Sequence, residues 1–283
     1  MEARAFAGHL GRERVRVLRR VGYTARQNPI PKPGCAWPSF PMCGRYSLAK
    51  PPKRIRIGDT EVILLVPRPR YNVAPMQRAP VIRLREGLPV VDELRWGLIP
   101  AWAKDAKLAA SCINARSETV ATKPAFRAAF KRRRCLVPAD GFFEWQTAGK
   151  QKLPWWFVRP DGEPLLFAGL WESWQPAEHP DVHEQTFTLL TTRPNAVTAP
   201  VHDRMPVALS AAGAAEWLRE SSTPEQLAAL CVPLPDDALE RHRVSQCVNS
   251  ARNDGPECIA PVLVQSGLDG LAVHPSPSNF KGL

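Results

Sequence analysis

The chain has 283 residues, 44% of them hydrophobic and 23% charged, with a formal net charge of +11. That apolar fraction supports a sizeable core, and apolar runs such as residues 62–66 are far too short to span a bilayer. The seven cysteines contain no Cys-x-x-Cys pair, so neither a disulfide framework nor a structural zinc site is signalled, and thiols without a secretory signal fit a reducing cytosol.

The first 41 residues read as a separate segment. They hold seven arginines and one lysine against two glutamates, a charge of +6 that leaves +5 for the rest of the chain. Residues 28–41 are studded with prolines. No secretory apolar run is present, and a transit peptide would fit the arginines but not the scarcity of serine. The expectation is an extension outside the domain, upstream of a true start at Met42 or removed from the mature chain.

From residue 43 onward short β-prone runs dominate. Residues 61–66, 81–85, 94–98, 136–137, 142–145, 155–159, 165–170 and 186–191 read as strands. Residues 124–130, 211–219 and 224–230 read as helices, the last two with Ser210 and Thr223 as N-caps. Trp155, Trp156, Trp171 and Trp217 read as core. No repeat or βαβ rhythm appears, which predicts an α+β fold around a curved or barrel-like sheet. It is a single domain over residues 42–264, followed by a loose C-terminal tail over 265–283.

Several polar clusters stand out against this background. Met42-Cys43-Gly44-Arg45 would give Cys43 a free α-amine beside its thiol if the chain began there. Both groups have ordinary pKa values of about 8 to 8.5, so useful fractions of both nucleophiles exist near neutral pH. The pair condenses with an aldehyde through an imine to a five-membered thiazolidine. The competing reading is a small buried cysteine. Further on come Tyr71-Asn72-Val73-Ala74-Pro75, Trp96-Gly97-Leu98-Ile99-Pro100 with Trp102 after it, and Ile113-Asn114-Ala115-Arg116. Then follow Arg132-Arg133-Arg134, Val137 to Trp145 with Glu144 between two aromatics, and Val201-His202-Asp203-Arg204-Met205-Pro206. Aromatics interleaved with arginine suit single-stranded nucleic acid, whose bases stack on rings while guanidinium groups hold phosphates. Glu144 should point away from Phe143 and Trp145 on a strand, and burial beside aromatics would raise its pKa into a range useful for proton transfer. A Cys-His-Glu set is also compatible with a peptidase triad, whereas nothing has metal-ligand spacing.

Taken in order, these motifs closely resemble the SRAP family, the SOS-response-associated peptidases or abasic-site processing proteins, from Met42 to about Val264. The resemblance implies one α+β domain with a β-barrel-like core, peripheral helices and a basic cleft. It implies a covalent thiazolidine crosslink to the ring-opened sugar of an abasic site in single-stranded DNA, and a peptidase-type hydrolase or lyase-type activity through the same cysteine. The catalytic residues it implies are Cys43, Asn114, Glu144 and His202. The DNA contacts are Arg45, Asn72, Trp102, Arg116, Trp145 and Arg204. No metal, cofactor or membrane is implied. The protein would be a cytoplasmic monomer, nucleoid-associated when acting on DNA. Residues 49–69, rich in proline and basic residues, depart from the family pattern, in which relatives are expected to carry a helical insertion. The rival readings are a thiol peptidase acting on other proteins, which needs only the thiol, and a non-covalent reader of modified or single-stranded DNA, which needs neither nucleophile.

Overall fold

The computed structural model describes residues 44–66, 68–176, 181 and 183–262. Strands follow in the order β1 (Arg45–Leu48), β2 (Arg54–Ile57), β3 (Thr60–Ile63), β4 (Arg70–Val73), β5 (Arg78–Arg85), β6 (Leu88–Trp96) and β7 (Asn114–Arg116). Helix α1 (Arg127–Arg132) precedes β8 (Arg134–Ala139), β9 (Gly141–Ala148), β10 (Gln151–Val158), β11 (Leu165–Trp174), β12 (Glu184–Thr192), β13 (Met205–Pro206) and β14 (Ala208–Leu209). Helices α2 (Ala211–Leu218) and α3 (Pro224–Ala229) come before β15 (Glu240–Arg243).

Five strands close on themselves. β12 pairs with β6, β6 with β5, β5 with β8, β8 with β11, and β11 with β12 again. Every pairing in this ring is antiparallel except β6 with β12, which run parallel through Arg95 opposite Thr186 and Trp96 opposite Phe187. Closure through this two-residue ladder leaves no strand of the ring with a partner on one side only. β7, β13 and β14 extend it. A second sheet, ordered β15-β10-β9-β1-β4, lies beside it.

The apolar runs of β8 and β11 read as continuous rather than alternating because both faces of these strands are covered. Along β8, Cys135, Val137 and Ala139 join one core while Leu136 joins another. Along β11, Leu165 and Phe167 divide from Leu166, Ala168 and Leu170 in the same way. The first core receives Tyr46, Phe142 and Phe157 from the second sheet. The other receives Phe130 and Trp217 from the helices.

Helix starts follow the caps read from sequence. The Ser210 hydroxyl accepts from Gly213 N at 3.1 Å, and Thr223 and Gln226 form a reciprocal capping box. The first helix begins later than expected, at Arg127 rather than residue 124, because residues 123–126 form a preceding turn. Among the described residues of 49–69 there is no helix. β2 and β3 form a hairpin around Gly58, whose φ of +56° suits glycine, and send Ile55, Ile57 and Val62 into the Trp217 core. The Tyr71-Asn72-Val73 segment lies in strand β4. Three tryptophans expected in the core are half-buried. Trp171 and Trp155 each carry an arginine, Arg83 and Arg241, over the ring at 4.0 and 5.1 Å. The third, Trp156, donates its indole N–H to Ser47 Oγ at 2.9 Å. Trp217 is fully buried, as expected.

Of the triple-arginine run, Arg134 is structural. Its guanidinium donates to the carbonyls of Trp217, Phe130, Lys131 and Arg219 at 2.6 to 2.9 Å, tying the ends of α1 and α2 to β8. A lysine has one nitrogen and cannot reproduce this fork. Arg134→Lys should therefore destabilise the fold by about 2–4 kcal/mol, through two or more buried carbonyls left without donors. The measurement is denaturant unfolding, and a loss below 1 kcal/mol would show that the carbonyls find other partners.

Candidate active site and nucleic-acid interface

The residues singled out in the sequence come from two edges of the fold. From the second sheet comes Glu144 on β9, 2% exposed. Phe143 and Trp145 pack together against Val244, Val248 and Cys258, so Glu144 points the other way, as strand alternation requires. From the barrel side comes His202, in the loop between β12 and β13, where its N–H and that of Val201 both bond Thr198 O. His202 Nδ1 lies 3.8 Å from Glu144 Oε1 and 3.3 Å from Asp203 Oδ1, and it accepts the Arg204 N–H at 3.1 Å. The glutamate spacing is an ion-pair distance rather than a hydrogen bond, close enough for a proton to pass after a small shift or through one water. Asn114 is 5% exposed at the start of β7, opposite Leu189 of β12.

Arg204 holds the same loop from its other side. Its guanidinium donates to both oxygens of Glu118, at 2.7 and 2.8 Å, and to Thr191 O at 2.6 Å. The hydrogen bond from Arg204 holds the Glu118 carboxyl below the usual carboxylate range. A carboxylate with a depressed pKa contributes stability above its unfolded value and loses it as pH falls through the folded one. The pair therefore persists at neutral pH and through mild acid.

A second group gathers around residues 246–254. Arg45 donates to Val248 O at 2.6 Å and to Asn249 O at 3.4 Å, with its guanidinium 6.0 Å from the Trp145 ring centre. Burial lowers the Arg45 pKa from its ordinary value. Trp145 donates its indole N–H to Asn249 Oδ1 at 2.7 Å. Asn72 is fully buried, and its amide nitrogen lies within 3.1 Å of the carbonyl oxygens of Val248, Ser250 and Asn253. Its side chain offers no surface to a nucleotide here; it holds the segment against which Arg45 and Trp145 rest. Asp254 completes the clasp by accepting from Tyr71 N and Asn72 N at 2.6 and 2.9 Å and pairing with Arg70 at 2.8 Å.

The structure thus brings Glu144, His202 and Arg204 together, and separately Arg45, Asn72 and Trp145; the adjacency of Glu144 and Trp145 on β9 joins the groups. Arg116 and Trp102 are exposed, Trp102 at 62% on the turn after β6. Cys43 lies outside the described residues. Sequence reading missed the roles of Glu118 and Asp254. Glu118 stands in the polar cluster with Asn114 and Arg116, and the Asn249-to-Asp254 stretch, rich in Asn, Ser and Asp, carries a turn signal that does not by itself point to the site.

Burial pushes up the thiols of Cys112, Cys135, Cys231 and Cys258, the last two to about 12. Among the described residues no group of three His, Cys, Asp or Glu is placed to hold a metal, and no helix is long and apolar enough to cross a membrane.

Residues 42–251 match the family model described as SOS response associated peptidase (SRAP). The chain belongs to the SRAP family. Abasic site processing protein YoqW of Bacillus subtilis is 39% identical over 224 residues, covering 77% of this chain and 99% of that protein. Abasic site processing protein YedK of Escherichia coli is 32% identical over 229 residues, covering 78% and 100%. The chicken protein HMCES, of the same description, is 31% identical over 226 residues, covering 69% and 67%. Among solved structures, a Bacteroides thetaiotaomicron protein aligns with a TM-score of 0.63 at 27% identity, covering 69% of this chain and 86% of that one. The barrel core of this SRAP chain is thus the α+β architecture that its sequence implied.

The Asn72 clasp is testable without DNA. Asn72→Asp keeps the shape but sets a carboxylate oxygen against three carbonyl oxygens, so hydrogen exchange across residues 246–254 should speed by at least about tenfold, the equivalent of 1.4 kcal/mol. Unchanged protection there would mean that Asp254 alone fixes the segment.

Proposed function

We propose that this SRAP chain processes abasic sites in single-stranded DNA by linking Cys43 covalently to the ring-opened sugar. The observation that carries the reading is the buried Glu144 carboxylate facing His202 at 3.8 Å, next to β1, which enters the second sheet through Arg45 opposite Phe143. Cys43 precedes that strand by one residue, Gly44, which is buried. Membership of the family supports the substrate, since relatives covering most of this chain are described as abasic site processing proteins. Burial disfavours a thiolate at Cys112, Cys135, Cys231 and Cys258, which makes those four poor nucleophiles.

The chemistry balances without a cofactor. The Cys43 amine adds to the C1′ aldehyde to give a carbinolamine, which loses water to form an imine. Sulfur then adds to the imine carbon, and the thiol proton ends on nitrogen, closing the thiazolidine. Protons must leave the attacking amine and reach the departing hydroxyl, and Glu144 and His202 are placed to exchange them. Asn114, an uncharged donor and acceptor, orients the reacting groups. Arg45, Arg116 and Arg204 hold phosphates, and Trp145 and Trp102 offer rings to unpaired bases. This scheme requires Cys43 to be the mature N-terminus, and the family match begins at Met42. We read the peptidase-type activity as hydrolysis of the bond that frees the Cys43 amine.

Chemistry separates from binding in a protein that begins at Cys43. Cys43→Ala should bind DNA and form no adduct with abasic DNA on a denaturing gel, and Cys43→Ser should trap only an imine after borohydride reduction. Glu144→Gln and His202→Ala should each slow crosslinking by about 10²–10⁴-fold, the usual worth of general acid–base catalysis, with thermal unfolding near wild type. Crosslinking by Cys43→Ala would place the Schiff base on a lysine and sink the reading.

A further inference from the structure

A strip of cations leads away from Arg116, and the site above uses only its first member. Residues 116–133 hold six basic side chains against one acidic, a charge of +5 that equals the formal charge of the whole of residues 42–283. The single acid, Glu118, is occupied by Arg204. Arg116, Lys123, Arg127, Lys131 and Arg132 are all exposed, and among the described residues none of the five makes an ion pair, whereas Arg133 is held by Glu172 at 2.6 Å. Arg116 and Lys123 line one shallow cavity of about 440 Å³; Arg127, Lys131 and Arg132 line the next, of about 370 Å³.

The backbone sets the spacing. Phe126 N and Arg127 N both bond to Lys123 O at 2.9 Å, so the turn before α1 continues into it. Lys123, Arg127 and Lys131 then follow one another at i, i+4 and i+8 along one face. Stability does not account for this pattern. Lys131 and Arg132 in the last turn complement the helix dipole, but Arg127, at the first helical position, opposes it. Like charges four residues apart destabilise a helix. Three cations in a row are thus held against their mutual repulsion, facing water, beside an arginine of the candidate site.

We propose that Lys123, Arg127 and Lys131 form a track for the phosphodiester backbone of DNA flanking the lesion, continuing from Arg116. Steps of about 6 Å along the helix against one phosphate per about 3.4 Å of axis in each strand let successive cations meet roughly every second phosphate. The track touches no reacting atom, so it acts on affinity and salt dependence rather than on the covalent step. The proposal rests on the abasic-site reading for what lies at its near end.

The test uses protein purified from its own cells and DNA without a lesion, so that binding alone is read. Three DNAs are compared: a single strand just long enough to cover Arg116 to Trp145, the same strand extended by single-stranded flanks, and the same strand extended by a duplex arm. The triple variant K123A/R127A/K131A should bind the short strand within about twofold of wild type. On an extended DNA its slope of log affinity against log salt should fall by about 2 for a single-stranded flank or about 3 for a duplex, three contacts at 0.7 or 0.9 each. Loss on the single-stranded flank assigns the track to that strand, and loss on the duplex assigns it to a double-stranded arm. Lys123→Arg with Lys131→Arg should keep the wild-type slope. Slopes equal to wild type on both extended DNAs would overturn the track. Adduct formation with saturating abasic DNA, read alongside, separates the two proposals: it persists in the triple variant if only the track is wrong, and is missing from wild type if the abasic reading is wrong.

Discussion

Strand β12 changes partners half-way along, and the placement of the site follows from that change. Its first residues close the barrel, with Thr186 and Phe187 parallel to β6 on one edge and residues 184–189 antiparallel to β11 on the other. Beyond Leu189 both pairings stop: β6 has ended at Trp96, and β11 turns to β14 through Leu166 and Phe167. The vacated edges are taken by β7, through Leu189 to Thr191, and by β13, through Thr191 and Thr192. Main-chain donors and acceptors there must be paired if buried, and the two short strands that pair them carry Asn114 and Arg116 on one side and follow the His202–Arg204 loop on the other. A closed ring thus generates a functional rim where one of its strands runs on past its pairing with both neighbours.

The other half of the site depends on the segment around residues 246–254, which has little regular structure of its own. Its carbonyls point at Asn72 and Arg45, and its far end is fixed by Asp254 on the main chain of β4. Arg45 and Trp145 reach the surface already hydrogen-bonded to that segment, so the conformational entropy of ordering them is spent in folding rather than in binding. The Glu144–His202 contact spans the two halves. A relative shift of the sheets by an ångström would separate them, which gives the large shared core of Tyr46, Phe142, Phe157 and Phe167 a catalytic as well as a stabilising consequence.

Much of this architecture was legible because it is written in local signals. Ring strands such as β8 and β11 are apolar on both faces, and the caps Ser210 and Thr223 sit where hydroxyls satisfy free N–H groups. Short polar strands were not legible. β1, β4 and β7 are three or four residues long, and no propensity distinguishes Asn-Ala-Arg as a strand; only the open edge of β12 makes it one. The alternation that directs Glu144 away from Phe143 and Trp145 was readable once β9 was recognised. The side chain of Asn72 was not, because its partners come from about 180 residues later in the chain. The hairpin of β2 and β3 likewise follows from what Trp217 needs covered rather than from its own proline- and arginine-rich approach.

Arginine shows most plainly why composition alone cannot map the binding surface. Arg134 spends its donors on four carbonyls beneath the helices, and Arg83 is buried between Asp92 and the Trp171 ring. Arg45 and Arg204 have part of their donor capacity committed to carbonyls and carboxylate, one in each half of the site. Arg116, Arg127 and Arg132 face water without an acidic partner among the described residues. Each class counts equally in the net charge, yet only an unpaired exposed cation releases counterions from DNA at full strength, whereas a cation already paired within the protein must first exchange one partner for another. The modest +5 of residues 42–283 is therefore compatible with strong salt dependence, because residues 116–133 carry a net +5 of their own while the other basic and acidic residues cancel in number.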